Sequence, residues 1–125
     1  MKYLLDTHTL IWLIEASPKI SLEIKEIFTL SENTVFISSA SLWEIAIKAG
    51  MGKIRISFEK LIADLTSTNI EILQIENEYL KRLLSLPEIH KDPFDRLLIA
   101  TALVENLIIV TADENIQKYS VPWLW

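Results

Sequence analysis

The chain has 125 residues, no cysteine, and a formal charge of −5 from 12 basic and 17 acidic side chains. Without cysteine there are no disulfides and no thiol catalysis, and a reducing compartment suits such a chain. The acidic balance argues against a simple nucleic-acid binder, which carries a basic excess, but leaves room for an acidic pocket neutralised by a divalent cation.

The elements read off in order. "KYLLD" is a short apolar strand, followed by the helical "THTLIWLIEAS", which Pro18 ends. Asp6 breaks this apolar start too early for a signal-peptide core, and no stretch reaches the roughly 18 apolar residues of a spanning helix, so a soluble, cytoplasmic protein is expected. "SLEIKEIFTL" has apolar residues near helical period, "NTVFISS" is a buried strand, and "ASLWEIAIKAG" is a helix stopped by Gly50 and Gly52. "SFEKLIADLTS" is helical, "IEILQI" alternates as a strand, and "ENEYLKRLLSL" is helical as far as Pro87. In "HKDPFDRLLIATALVEN", Asp92 caps a helix with Pro93 at its first position, and Asp95 falls in the first turn. Leu97 to Val104 are apolar on nearly every face, which marks a buried helix with a carboxylate at its mouth. Strand "LIIVTAD", a short helix "ENIQKY" and a tail "SVPWLW" complete the chain. Strands alternating with helices predict one α/β domain over residues 1–125, its mostly parallel sheet covered on both faces. Half the residues are hydrophobic and the mean hydropathy is +0.29, which fits either a helix-covered sheet or buried partner surface.

Ligands of open α/β sheets bind beyond the carboxyl ends of the strands, and four acids fall at such places. Asp6 ends the first strand, Glu44 lies in the first turns after "VFISS", Asp95 opens the buried helix, and Asp113 ends "LIIVT". Each has a structural alternative. Asp6 and Asp113 can cap the helices they precede, "SLWE" fits a capping box from Ser41 to Glu44, and Asp95 suits the helix dipole. Taken together, the topology gathers all four at one sheet edge, where like charges repel unless one takes up a proton or a divalent cation is present. Oxygen ligands, no cysteine and only two histidines point to Mg2+ or Mn2+ rather than zinc.

"LLDTHTLIWL", "ISSASLWEIAIKAGMGKIRI", "HKDPFDRLLIATAL", "LIIVTAD" and a closing "LW" resemble a PIN-domain ribonuclease, and more narrowly a VapC-type toxin of a toxin–antitoxin pair. The likeness spans essentially the whole chain. It implies a PIN-like fold, an acidic quartet of Asp6, Glu44, Asp95 and Asp113, and Thr111 as the hydroxyl residue beside it. It further implies Mg2+- or Mn2+-dependent hydrolysis of RNA to 5′-phosphate and 3′-hydroxyl ends, with Asp6, Asp95 and Asp113 holding the ion and Glu44 orienting water or completing the outer sphere. A cognate small antitoxin and a homodimer are the expected partners.

Other residues weigh less. His8 and His90 suit positioning or surface better than metal-free acid–base catalysis. "DTHTL" lacks the second aspartate of the haloacid-dehalogenase phosphatase motif, that place being His8, so no phosphoenzyme is expected. Arg96, Lys48 and Lys91 are candidates to hold RNA phosphates beside the acids, against a default of solvated charge; Lys53, Arg55 and Lys60 belong to the same basic stretch as Lys48. Trp12, Trp43, Trp123 and Trp125 are core or interface residues by preference. The alternatives are a free-standing PIN nuclease acting in RNA processing or on DNA, and a non-catalytic binding protein whose acids only cap helices.

Overall fold

A computed structural model describes residues 1–125 and resolves the alternation into twelve elements. They are β1 (Lys2–Leu5), α1 (Thr7–Ile14), α2 (Leu22–Thr29), β2 (Thr34–Ser38), α3 (Ser39–Gly50), α4 (Phe58–Thr66), β3 (Ile70–Leu73), α5 (Asn77–Leu83), α6 (Pro93–Glu105), β4 (Ile108–Val110), α7 (Glu114–Gln117) and β5 (Trp123–Leu124). No helix is long and apolar enough to cross a membrane.

All strand pairs are parallel, in the order β3-β2-β1-β4-β5. The chain runs outward from β1 through β2 to β3, then returns to place β4 on the free side of β1. This change of direction opens a crevice between β1 and β4 at their carboxyl ends. The register pairs Leu5 with Val110 and Val110 with Leu124, so these ends are level.

Side chains on β1 alternate between faces, as strand geometry requires. Tyr3 and Leu5 join Leu10, Ile11, Ile24, Ile27, Val35, Ile37, Leu42, Ile45, Leu61 and Leu65 in one apolar cluster, beneath α1 to α4. Leu4 and Ile109 face the other way, onto Leu98, Ile99 and Ala102 of α6 and Ile116 of α7. The apolar content thus fills two cores, one per face of the sheet.

Helix α6 is the buried helix expected from sequence, with Leu97 to Ala102 all shielded from solvent. Its outer side is also covered, because Leu97 packs with Tyr79 of α5 and Ala40 of α3. Asp92 caps it, accepting from Asp95 N at 3.0 Å, with Pro93 in the first turn. Asn106 ends it in the left-handed conformation at φ 56°, a role asparagine fills at low strain.

Three local expectations are corrected. The tail contains a strand: Ile109 N donates to Pro122 O and Thr111 N to Leu124 O, so "WL" extends the sheet as β5. The capping box at Ser41–Glu44 does not form either. Helix α3 starts earlier, capped by Ser38, whose hydroxyl accepts from Ala40 N at 3.0 Å, leaving Ser41 and Glu44 inside the helix. Strand β4 is also shorter than "LIIVTAD", and Thr111 to Asp113 lie beyond its end.

Leu98 is fully enclosed between sheet and helix. Leu98→Ala should therefore lower the unfolding free energy by about 2–5 kcal/mol, the loss for a buried leucine whose cavity does not collapse. Urea unfolding followed by circular dichroism measures it; a loss under about 1 kcal/mol would show that α6 is not pinned as described.

Candidate active site

Strand β1 ends at Leu5, and the next residue turns the chain into α1. Asp6 is 3% exposed, and both its carboxylate oxygens have donors. Oδ1 accepts from Thr9 N at 2.8 Å, which caps α1, and Oδ2 accepts from Thr111 Oγ1 at 2.5 Å. Burial pushes the Asp6 carboxyl above its ordinary value, and the bonds from Thr111 and Thr9 pull it partly back.

Thr111, just beyond β4, connects two acids. Its hydroxyl donates to Asp6 and accepts from Asp113 N at 3.0 Å. Asp113 then caps α7 through Asn115 N at 2.8 Å. Asp6 and Asp113 line one cavity of about 220 Å³ with His8, Trp12 and Ala112. A larger cavity, about 710 Å³, lies at the opposite end of the sheet, around the first residues of β2 and β3, and contains none of the four acids.

Asp95 enters from α6. Its carboxylate accepts no backbone N–H; Oδ2 instead lies 3.2 Å from Nε2 of His90. The carboxyl is pushed up to about 6, first by burial and then by the charge of Asp92; His90 lowers it, and Asp113 raises it. The influence of Asp113 places Asp95 on the same electrostatic patch as the β4 end. Glu44 is also buried, at 5% exposed. Its Oε2 accepts from Lys48 Nζ at 2.8 Å, one helical turn on, whereas Oε1 is buried with no hydrogen-bond partner.

The structure thus brings Asp6, Thr111 and Asp113 together and sets Asp95 within electrostatic reach, while Glu44 stands on α3 in the grip of Lys48. With the side chains in these rotamers, no three acidic or histidine groups converge tightly enough to hold one ion. Of the basic candidates, Arg96 directs Nη1 to Pro87 O at 2.8 Å and to the Tyr119 hydroxyl at 2.9 Å, and Lys91 is exposed. His8 lines the cavity and stacks at a tilt on Trp12, with ring centroids 6.0 Å apart.

A shell of hydroxyls not singled out by the sequence completes the surroundings. Thr9 Oγ1 donates to Val110 O at 2.9 Å, and Thr7 Oγ1 donates to Ser41 Oγ at 3.0 Å, tying the start of α1 to β4 and α3. The only sequence signal for them was their place just after a strand end, in "DTHT".

The family model of the PIN domain matches residues 3–122. The chain therefore belongs to the PIN-domain family, whose members are generally nucleases. No curated protein sequence matches it. Its fold is shared with VapBC2 from Rickettsia felis bound to a DNA fragment from the promoter, at a TM-score of 0.75 and 21% identity over 99% of this chain and 98% of that one. It is shared likewise with DNA-bound VapBC from Salmonella typhimurium, at 0.73 and 21% over 99% and 97%. The PIN-domain endonuclease Utp24 is more distant, at 0.53 and 16% over 93% and 74%.

A carboxyl held above its unfolded value binds its proton more tightly in the folded state. The stability this contributes is present below about pH 4 and is lost as pH rises through about 6. In metal-free buffer, Asp95→Asn should match wild type at pH 4 and exceed it at pH 7 by on the order of 1 kcal/mol, the shift being discounted for the group's partial exposure. The amide oxygen can still accept from His90, so the comparison isolates the charge. Thermal unfolding at the two pH values tests this; lower stability of the variant at pH 7 would assign Asp95 a purely stabilising role.

Proposed function

We propose that this chain is a Mg2+- or Mn2+-dependent endoribonuclease and the toxin of a toxin–antitoxin pair. The observation that carries the nuclease reading is the Asp6–Thr111–Asp113 unit at the switch point of a parallel sheet, opening into a cavity, with Asp95 near enough for Asp113 to raise its carboxyl.

The donors fit a hard divalent cation. They are all oxygens, two of the carboxyls are held above their ordinary range by burial, and Glu44 Oε1 is buried without a partner. A cation at this edge relieves each of these. In the proposed site Asp6, Asp95 and Asp113 hold the ion, with Glu44 as a fourth carboxylate. When bound, such an ion supplies Lewis acidity toward the phosphate and lowers the pKa of water. Thr111 fixes the Asp6 carboxylate and, through the Asp113 N–H, the turn carrying the second acid. Glu44, anchored at one oxygen by Lys48, presents the other as a hydrogen-bond acceptor for water. Lys91, next to Asp92 in the chain and exposed, is the side chain proposed to contact a phosphate.

That the acids serve only as caps has partial support, since Asp6 and Asp113 do accept backbone N–H groups. Asp95 also keeps its place in the first turn of α6, where the helix dipole favours it. The nuclease reading is preferred because Asp95 and Glu44 accept no backbone N–H, only His90 and Lys48.

The toxin reading is supported by the likeness to VapBC complexes along nearly the full length of both chains. It is also supported by exposed apolar side chains, including Trp43 at 57%, Met51 at 61% and Leu84 at 88%. Trp43 meets Phe94, the neighbour of Asp95, edge to face with centroids 5.0 Å apart, so apolar surface continues to the rim of the acidic edge. A homodimer and a small antitoxin are the partners this surface would accept.

The purified chain should cleave single-stranded RNA with Mg2+ or Mn2+, leave 5′-phosphate ends, and stop with EDTA. Asp6→Asn should reduce turnover at least a hundredfold while keeping the wild-type circular dichroism spectrum. Full cleavage in EDTA would falsify the metal mechanism, and cleavage of DNA in preference to RNA would move the substrate assignment. Co-expression with the adjacent reading frame should yield a stable complex with low RNase activity. A monomer that retains no partner from its own operon would point instead to a free-standing PIN nuclease.

A further inference from the structure

Tyr119 lies just beyond α7 with its ring buried, and its hydroxyl has three neighbours. Arg96 Nη1 stands at 2.9 Å, the backbone N of His90 at 3.3 Å, and Nδ1 of the His90 ring at 2.8 Å. A phenol offers one proton and two lone pairs, and a guanidinium N–H and a peptide N–H can only donate. Those two donors take the lone pairs, so the phenolic proton is left for Nδ1. The neutral imidazole then carries its own proton on Nε2, the atom that faces Asp95 Oδ2 at 3.2 Å. The direction of every bond follows from this count: Arg96 and the His90 peptide donate to Tyr119, Tyr119 to Nδ1, and Nε2 to Asp95.

From this we infer that Tyr119 and His90 are positioning residues for Asp95, a relay that selects the Nε2–H tautomer and binds Oδ2 so that Oδ1 is presented to the cation. The inference rests on the assignment of Asp95 as a metal ligand. The backbone side of the same residue is fixed independently, by Asp95 N donating to Asp92 Oδ1 at 3.0 Å. Asp92 thus fixes the Asp95 peptide, and His90 is the group that orients its carboxylate. The relay is anchored in turn, because the Nη1 that donates to Tyr119 also donates to Pro87 O at 2.8 Å, securing the segment that leads to His90. Hydrogen-bond partners behind a ligand of this kind typically change metal affinity 10–100-fold.

The test is calorimetric titration of Mn2+ into wild type, His90→Leu, His90→Gln, Tyr119→Phe and the His90→Leu/Tyr119→Phe pair, with metal-free melting temperatures and RNA kinetics alongside. His90→Leu should weaken Mn2+ about tenfold and lower kcat with KM for RNA unchanged. His90→Gln, whose amide restores an N–H toward Asp95, should recover most of that affinity. Tyr119→Phe should weaken Mn2+ severalfold alone and have no further effect in the His90→Leu background. Unchanged Mn2+ affinity in His90→Leu, a glutamine no better than the leucine, or full additivity of the pair would each overturn the relay while leaving the nuclease reading intact. If His90→Leu does not fold, Tyr119→Phe decides: severalfold weaker Mn2+ supports the relay, and unchanged affinity overturns it. Wild type that binds no Mn2+ while Asp6→Asn behaves identically would instead remove the metal reading, and the relay with it.

Discussion

The hydrogen bond from Thr111 to Asp6 joins residues 105 positions apart, and it exists only because β1 and β4 run parallel with their carboxyl ends level. Strand β1 occupies the middle of the sheet, so whatever follows Leu5 emerges with neighbours on both sides. Asp6 emerges there, caps α1 with one oxygen and takes the Thr111 hydroxyl with the other. The next strand end enters through the same threonine, whose oxygen accepts the Asp113 N–H. Two helix starts and two strand ends thereby share one small polar unit. Thr9 closes it by donating to Val110 O, an acceptor at the same strand end.

The electrostatics follow from how each carboxylate is compensated. Asp6 is the more buried, yet two donors meet its oxygens, and these pull against the desolvation that raises it. Asp95 is less buried than Asp6, yet burial still raises it most, with Asp92 and Asp113 adding to that and a single histidine opposing them. Glu44 is compensated on one side only, by Lys48, and leaves an oxygen bare in the interior. An uncompensated buried acceptor is unfavourable by about 1–3 kcal/mol, and Glu44 Oε1 is the one oxygen of these carboxylates left in that state.

Much of this was legible in sequence. The 3.6-residue spacing of α2 and α4, the β-branched run of β2 and the Asp–Pro start of α6 identify their elements without any tertiary information. The places of Asp6 and Asp113 just beyond β1 and β4 were legible too, because strand ends can be read and a parallel sheet aligns them. What escaped were features made by contacts distant in sequence. Strand β5 is two residues long and follows Pro122, and only pairing with β4 makes it a strand. The start of α3 was misplaced because Ser38, Ser39 and Ser41 all qualify as caps, and the choice depends on where the β2 ladder stops. Tyr119 carried no signal, since its partner His90 lies 29 residues away and the bond depends on the turn after α7 meeting the segment before α6.

The carboxylate at the mouth of the buried helix follows from that helix's position. α6 is covered by the sheet on one side and by α3 and α5 on another, so its first turn is fixed relative to the strand ends. The proposed site then has a half held by backbone and a half held by side chains. Asp6 and Asp113 are bound to backbone N–H groups of the helices they begin, and moving either carboxylate would uncap a helix. The carboxylates of Asp95 and Glu44 are oriented by side chains alone, through His90 and Lys48. In the proposed site the backbone-held pair would set where a cation is held, and the side-chain-held pair would complete its surroundings. The backbone-held pair comes from the topology of the sheet, and the side-chain-held pair from two helices packed across its edge.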